Sequence, residues 1–131
     1  LVQVATVVPS VTATPTTFVA ANQTIVTITG FGFSITPSEN TVAFTGGAIG
    51  NVTAATNTSL EVTLTTRPAA AGLLAASVTT NTHNSGANVS IASVRPVLLA
   101  NPANTQNAND STITIAGVGF DTTPGNNLVA F

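Results

Sequence analysis

The chain has 131 residues, 44% of them apolar, and six charged side chains that give a net charge of −2. So few basic residues exclude nucleic acid and polybasic membrane surfaces as partners, because affinity for both comes from Lys and Arg. The sequence has no Cys, which excludes disulfides, thiolate metal sites and Cys nucleophiles.

Short segments of alternating apolar and polar residues follow one another along the chain and predict strands. In chain order these are Val2–Val8, Ser10–Thr14, Asn22–Thr29, Thr41–Phe44, Ile49–Ala54, Ser59–Thr65, Gly72–Thr79, Asn88–Val94, Val97–Ala100, Ser111–Ala116 and Asn127–Phe131. The positions predicted to face a core are Val26, Ile28, Leu60, Val62 and Leu64. Polar turns are predicted at residues 37–40, 46–47 and 81–86. No segment keeps a 3.6-residue apolar period for three turns, so the pattern argues against helices.

This density of strands predicts the fold class. About seven short strands with turn signals every 8–12 residues are typical of an immunoglobulin-like β-sandwich. Thr, Val, Ala and Asn dominate the composition, which also favours strands and turns. No apolar run approaches the roughly 20 residues that span a bilayer as a helix. We therefore expect an all-β protein that does not insert into membranes.

The sequence also repeats itself. Residues 1–44 match residues 88–131 without a gap, at an offset of 87, with 19 identical pairs. A fixed period of this length indicates one structural unit used repeatedly. We predict that residues 1–8 are the last strand of a preceding repeat, residues 9–94 a complete repeat, and residues 95–131 the first half of the next. The chain is then either part of a longer array or a polymer subunit whose ends need neighbours.

The repeated segment resembles a known family. The run Val26-Thr27-Ile28-Thr29-Gly30-Phe31-Gly32-Phe33, followed by Asn40-Thr41-Val42-Ala43-Phe44, looks like the opening of a TIG (IPT) domain, and residues 113–120 and 127–131 repeat it. Pro9, Pro15, Pro96 and Pro102 occupy the matching proline positions. The resemblance implies an immunoglobulin-like sandwich of the kind found in bacterial surface and secreted proteins, in accessory modules of polysaccharide-degrading enzymes and in animal receptors. It brings no catalytic residues, and the basic loops of its DNA-binding members are missing here.

Glycine and phenylalanine positions offer candidate sites. Gly30 and Gly32 are spaced as in a nucleotide loop, but no third Gly or helix follows, so a bend at the end of a strand is the better interpretation. Four phenylalanines follow inward-facing strand positions and are predicted to pack in cores: Phe33, Phe44, Phe120 and Phe131. Phe18 and Phe31 are the better candidates for exposed contacts.

Other polar residues predict no catalytic, cofactor or metal site. His83 is the only histidine, and one His without Cys or a neighbouring carboxylate cannot form a zinc site. The four carboxylates are scattered, with Glu39 and Asp121 near the same turn of successive repeats, so neither a calcium loop nor a hydrolytic pair is indicated.

The sequence also contains hydroxyl-rich strand faces and possible glycan acceptors. The pairs Thr12/Thr14, Thr27/Thr29 and Thr63/Thr65 each place two hydroxyls on one face of a strand, either as a solvated face or as a surface for glycans or neighbouring subunits. Asn22, Asn51, Asn57, Asn88 and Asn109 stand in Asn-x-Ser/Thr sequences, which matter only in an organism that glycosylates Asn.

These observations favour a non-enzymatic structural protein of an extracellular bacterial surface fibre, sheath or filament. The near-absence of basic residues and the Thr- and Asn-rich composition predict an extracellular or cell-surface location. Alternative functions are a glycan-binding or spacer module of a secreted polysaccharide-active enzyme, or an adhesin ectodomain. The lack of Trp and Tyr, the usual sugar-stacking residues, weighs against the first alternative. The expected partners are copies of the chain or adjacent repeats, joined by strand complementation of residues 95–131.

Overall fold

A computed structural model describes residues 1–101 and 105–131. Eleven strands and two short 3-10 turns form over these residues. The strands are β1 (Ser10–Val11), β2 (Phe18–Ala20), β3 (Ile25–Phe31), β4 (Asn40–Phe44), β5 (Ile49–Ala55), β6 (Ser59–Thr66), β7 (Gly72–Thr80), β8 (His83–Asn84), β9 (Val89–Arg95), β10 (Val97–Leu98) and β11 (Gly117–Val118). The 3-10 turns cover Pro37–Glu39 and Pro124–Asn126. The all-β prediction is confirmed.

Two sheets pack face to face in the first part of the chain. One has the strand order β1-β3-β6-β5 and the other β2-β9-β7-β4, with β8 paired to β7. All pairs are antiparallel except β2 with β9, which run parallel. The chain crosses between the sheets after β1: Thr14 accepts a backbone hydrogen bond from Thr17 and donates its own N–H to the Ser90 carbonyl, 3.0 Å in each case. This is the predicted immunoglobulin-like sandwich.

The core lies between the two sheets and follows the alternation seen in the sequence. All five residues predicted to face it are buried: Val26, Ile28, Leu60, Val62 and Leu64. The opposite sheet contributes Leu74, Ala76, Val78, Ile91 and Val94. Side chains that alternate across a strand present every second residue to the same face, which is why β6 buries its leucines and valine while Glu61 stays exposed.

Three predicted strands are wrong. Within the described residues, Val2–Val8, Ser111–Ala116 and Asn127–Phe131 form no strand. The matching segment 87 residues away does form a strand in each case. Each of these strands is paired with a neighbour: β9 with β7, β3 with β6 and β4 with β7. No such neighbour lies beside the three segments in the described structure, and an isolated strand is unstable in water.

Several boundaries also differ from the prediction. The strand predicted over Ser10–Thr14 is limited to β1, and Phe18–Ala20 forms a strand that the sequence pattern did not indicate. The polar turn predicted at residues 81–86 contains the short strand β8 after a reversal at Asn81 and Thr82, which both have positive φ. Pro102 lies outside the described residues.

Candidate functional site

The start of the sandwich is built twice, at equivalent positions of the sequence. Ser10 pairs with Phe31 and Val11 with Gly30; 87 residues later, Val97 pairs with Val118 and Leu98 with Gly117. The next backbone hydrogen bond is also shared. Thr12 donates to the Thr29 carbonyl at 2.9 Å, and Leu99 donates to the Ala116 carbonyl at 2.8 Å. We call residues 9–12 with 29–33 the first entry motif, and residues 96–99 with 116–120 the second.

A glycine and a phenylalanine define the interior of each entry motif. A Cβ at Gly30 would collide with the Ser10 carbonyl oxygen and would lie 2.5 Å from Cζ of Phe33. At Gly117 a Cβ would meet the Val97 carbonyl oxygen and the ring of Phe120. Glycine is therefore needed at this position so that the neighbouring backbone and the aromatic ring can approach closely. The nucleotide-loop alternative finds no support in this packing.

The second glycine of each motif has a left-handed backbone conformation and lies next to a proline. Gly32 has φ +76° and Gly119 has φ +81°, a left-handed conformation that other residues adopt at a cost. A Cβ at Gly32 would lie 3.4 Å from Cα of Pro9, and one at Gly119 3.3 Å from Cα of Pro96. The predicted bend is confirmed at Gly32, and Gly119 repeats it. At Gly30 the prediction of a bend was wrong, because this residue lies within β3 and serves close packing.

The second entry motif is docked on the first sandwich. The Ala71 backbone N–H donates to the Gly119 carbonyl oxygen at 2.8 Å. A Cβ at Gly119 would lie 2.5 Å from Cβ of Ala21, so the two backbones touch through a glycine and a methyl group. Val118 is half-buried and packs against the hydrophobic core of the sandwich. Ala21 and Ala71 thus form a docking end, which we call the exit end.

The last strand of the sandwich is held firmly where it leads into this junction. The Arg95 guanidinium carbon lies 3.1 Å from the centroid of the Phe18 ring, a cation–π arrangement. The Arg95 carbonyl accepts a hydrogen bond of 2.9 Å from the Ala21 N–H, beside the parallel pairing of β2 with β9. The side chain and the backbone carbonyl of Arg95 are therefore both held by neighbouring residues, Phe18 and Ala21, and these two contacts fix the direction in which the chain leaves the sandwich.

Entry and exit lie at opposite ends of the sandwich. β3 ends at Phe31, and the turn that follows starts β4 at the same end with Asn40 opposite Thr80. β4 then runs to the other end, where Phe44 pairs with Ala76 and β7 begins. Gly72 at the start of β7 pairs with Val94, which immediately precedes the junction. The chain therefore enters at one end and leaves at the other.

The turn after each entry motif contains one carboxylate, Glu39 in the first copy and Asp121 in the second. The hydroxyl of Ser34 hydrogen-bonds to the Glu39 carboxylate. In the second copy the carboxylate is at the other position: Asn126 Nδ2 donates to Asp121 Oδ2 at 3.0 Å. The pKa of Asp121 is lowered from its usual value, chiefly by the hydrogen bond from the Thr123 backbone N–H and then by that from Asn126. These carboxylates accept structural hydrogen bonds rather than forming an acid–base pair.

The structure shows no built site for chemistry at the other candidate residues. His83 is exposed in β8, and the described residues contain no group of three or more potential metal ligands. Two shallow hollows have volumes of about 240 and 230 Å³, below the roughly 300–1,000 Å³ of typical ligand pockets. The first lies along residues 106–113 and the second between the edges of β4 and β5.

The residues predicted to lie at the surface are threonine pairs on strands and asparagines of Asn-x-Ser/Thr sequences. Thr27 and Thr29 are exposed together, and Thr63 shares a hydrogen bond of 3.2 Å with Thr53 on the same sheet. Thr14 does not share a free face with Thr12, because its hydroxyl donates to the Ile91 carbonyl of the opposite sheet. All five asparagines of the Asn-x-Ser/Thr sequences, Asn22, Asn51, Asn57, Asn88 and Asn109, are exposed.

The predictions for Phe33 and Phe44 are confirmed, since Phe33 is buried in the core and Phe44 is partly buried against it. Phe120 is partly buried, with its ring against Gly117, but is not among the residues that form or contact the core. Phe131 is 97% exposed, which corrects the prediction that it packs in a core. Phe18 and Phe31 are exposed as expected, at 56% and 65%.

Sequence reasoning missed the exit end altogether. Ala21 and Ala71 carry no polar group and stand outside the predicted strands, so their contact with Gly119 leaves no local pattern. The cation–π contact also joins distant residues. The available signal was the equal spacing of glycines and prolines in the two entry motifs, which marks a repeated contact without showing what it touches.

The described residues contain no helix long and apolar enough to cross a membrane. The family model described as the IPT/TIG domain matches residues 7–93, more than half of the chain. Comparison with curated proteins and with solved structures gives no match.

Proposed function

Because the chain belongs to the IPT/TIG domain family, we propose that it is a structural protein of an extracellular bacterial surface fibre, sheath or filament. IPT/TIG domains are non-catalytic, immunoglobulin-like modules of a structural or adhesion type. In the proposed role, sandwiches of about 87 residues follow one another end to end, and the chain performs no catalysis. Its task is mechanical: each unit buries its own core and passes load to the next through a short junction.

The observation that carries this proposal is the repetition of the entry motif. The second motif reproduces the strand register and the left-handed glycine of the first, and it is seated on the exit end. Since entry and exit lie at opposite ends, repeating this contact extends the protein in one direction. An interface that does not close on itself generates open linear assemblies rather than rings.

The low charge of the chain supports the same structural role. Only six residues carry formal charge, so neighbouring molecules repel one another weakly at long range. The exposed face of the β1-β3-β6-β5 sheet carries hydroxyl groups such as those of Thr27 and Thr29, with Glu61 as a charged member. Such a surface permits lateral contact between filaments and remains compatible with water.

We also propose that neighbouring chains complete the segment 95–131. Val4 and Val7 are 95% and 80% exposed, whereas their counterparts Ile91 and Val94 are 1% and 4% exposed in β9. The segment 2–8 therefore carries the side chains of a last strand. Ile113 and Phe131, at 53% and 97% exposed, present apolar surface that such a strand and its neighbours would cover. Strand addition between subunits satisfies both needs.

Electron microscopy of the native material tests the proposal. We expect filaments whose axial repeat is a simple multiple of one sandwich length. Isolated globular particles at all concentrations, together with specific binding on a glycan array, would favour the glycan-binding alternative. Mass spectrometry of the same material distinguishes a subunit of 131 residues, joined by strand exchange, from a longer chain with many covalent repeats.

A further inference from the structure

One face of the second entry motif is covered, and the structure shows what covers it. Val118 packs against the core of the first sandwich, and the Gly119 carbonyl accepts the Ala71 N–H at 2.8 Å. The contact with Ala21 is so close that a Cβ at Gly119 would lie 2.5 Å from the Ala21 methyl carbon. The partner surface is therefore small, apolar and equipped with one backbone donor.

The corresponding face of the first entry motif has the same backbone and lies in the open. Gly32 has the same left-handed conformation as Gly119 and the same position beneath a proline. Phe31 occupies the position of Val118, yet 65% of its surface is exposed. Exposure of a large aromatic side chain beside a left-handed glycine is the feature that distinguishes this copy from the docked one.

We infer that the face formed by Phe31 and Gly32, which are both exposed, is a docking surface for the exit end of another unit like residues 9–94. The Ala71-type N–H of that unit would donate to the Gly32 carbonyl, and its Ala21-type methyl group would lie against Gly32. Phe31 would be withdrawn from solvent, as Val118 is. This inference rests on the proposed array and specifies the contact by which one unit sets the angle of the next.

The partner is identified by chemistry that the chain already displays. A Cβ at Gly119 would collide with the Ala21 methyl carbon, so the contact requires a glycine in the entry motif, and Gly32 meets that requirement. A proline at the position of Ala71 would lack the donor. A lipid surface or a polysaccharide offers no such combination of a methyl group and a single directed N–H.

Hydrogen exchange tests the contact in a chain that carries one additional copy of residues 9–95 between Val8 and Pro9. The Ala71 backbone N–H is the reporter, because in the structure it donates to the Gly119 carbonyl. The Ala71 amide of the following copy contacts Gly119 and is the reference, whereas the Ala71 amide of the added copy reaches the Gly32 carbonyl only if the proposed contact forms. Segmental isotope labelling separates the two amides in NMR spectra.

We expect the Ala71 amides of both copies to exchange slowly. The matched control carries a flexible Gly/Ser segment between Arg95 of the added copy and the Pro9 that follows it, and it should speed exchange of the added copy's amide alone. If the reference amide is protected and the added copy's amide is not, the first entry motif is not a docking surface. If the reference amide also exchanges freely, the contact between Ala71 and Gly119 is itself contradicted, and the inference drawn from it fails.

A second measurement reports the dimensions of the same chain. Small-angle X-ray scattering compares the chain with the added copy to the same chain with a flexible Gly/Ser segment inserted between Arg95 and Pro9. A docked junction gives the uninterrupted chain one defined maximum dimension, while the flexible insertion broadens the distribution. Identical broad distributions would overturn the inference. Filament imaging is independent of both results, so an unassembled but docked chain would contradict the proposed function alone.

Discussion

Asn127 makes the same three turn hydrogen bonds as Asn40. Asn40 Oδ1 accepts from the Ser34 N–H at 3.0 Å, and its Nδ2 donates to the Ser34 and Thr36 carbonyls at 2.8 and 3.1 Å. Asn127 bonds the Asp121 N–H and the Asp121 and Thr123 carbonyls at 3.0, 2.8 and 3.3 Å. The turn therefore forms even where the strand that follows it does not, because its hydrogen bonds are local.

Replacing these two asparagines should have unequal effects. Asn40 is buried, and its Oδ1 also accepts from the Thr80 hydroxyl at 2.8 Å, so Asn40→Ala leaves several groups unsatisfied. We expect a loss of about 2–3 kcal/mol in the free energy of unfolding. Asn127 is exposed, and Asn127→Ala should cost less than about 0.5 kcal/mol. Chemical denaturation followed by circular dichroism measures both, and equal losses would contradict this account.

Removing Asn126 should change the titration of Asp121. The folded-state pKa of Asp121 is lowered by hydrogen bonds to its carboxylate, so these bonds stabilise the turn above the unfolded-state pKa and are lost as the pH falls through the folded-state value. Asn126→Ala removes the second-largest cause and should raise the pKa toward its usual value. NMR titration of the Asp121 carboxyl measures the shift, with Asn107→Ala as a control outside the turn. An unchanged titration curve would show that the Asn126 contact does not persist in solution.

Gly30→Ala should destabilise the sandwich by about 1–3 kcal/mol, because the added methyl group collides with a carbonyl oxygen and with Phe33. Gly125→Ala is a matched control: nothing lies within 4 Å of its Cβ position, and its φ is not in the left-handed region. The control should leave the unfolding midpoint unchanged. A mild effect of Gly30→Ala would mean that Phe33 moves aside and that the packing of the entry motif is looser than described.

Trypsin should not cleave the chain, even in denaturant that the protease tolerates. Trypsin cuts after Lys or Arg but poorly before proline, and this chain has no Lys and two arginines, Arg67 and Arg95, each followed by proline. Pro96→Ala creates one cleavable bond at the junction, which should yield two fragments when the junction opens. Mass spectrometry identifies them. Fragments from the unsubstituted chain would show that resistance does not come from these two prolines.

The core was predictable because alternation is a local property. Leu60, Val62 and Leu64 occupy every second position of β6, and any pairing that buries one of them buries all three. The family resemblance and the bend at Gly32 were predictable for the same reason: both depend on short runs of residues. The exit end was not, since Ala21 and Ala71 acquire their role only from the chain that reaches them from far along the sequence.

The sequence by itself determined that this protein is built from strands, which faces are apolar, and that residues 1–44 match residues 88–131. Only the tertiary structure decided which of the matching segments become strands. Val89–Arg95 lies between β2 and β7 and is largely buried, whereas residues 2–8, with the same pattern, are exposed and form no strand among the described residues. The reason is that a strand makes its hydrogen bonds with neighbouring strands. An alternating pattern therefore permits a strand, but the strand forms only where a neighbour pairs with it.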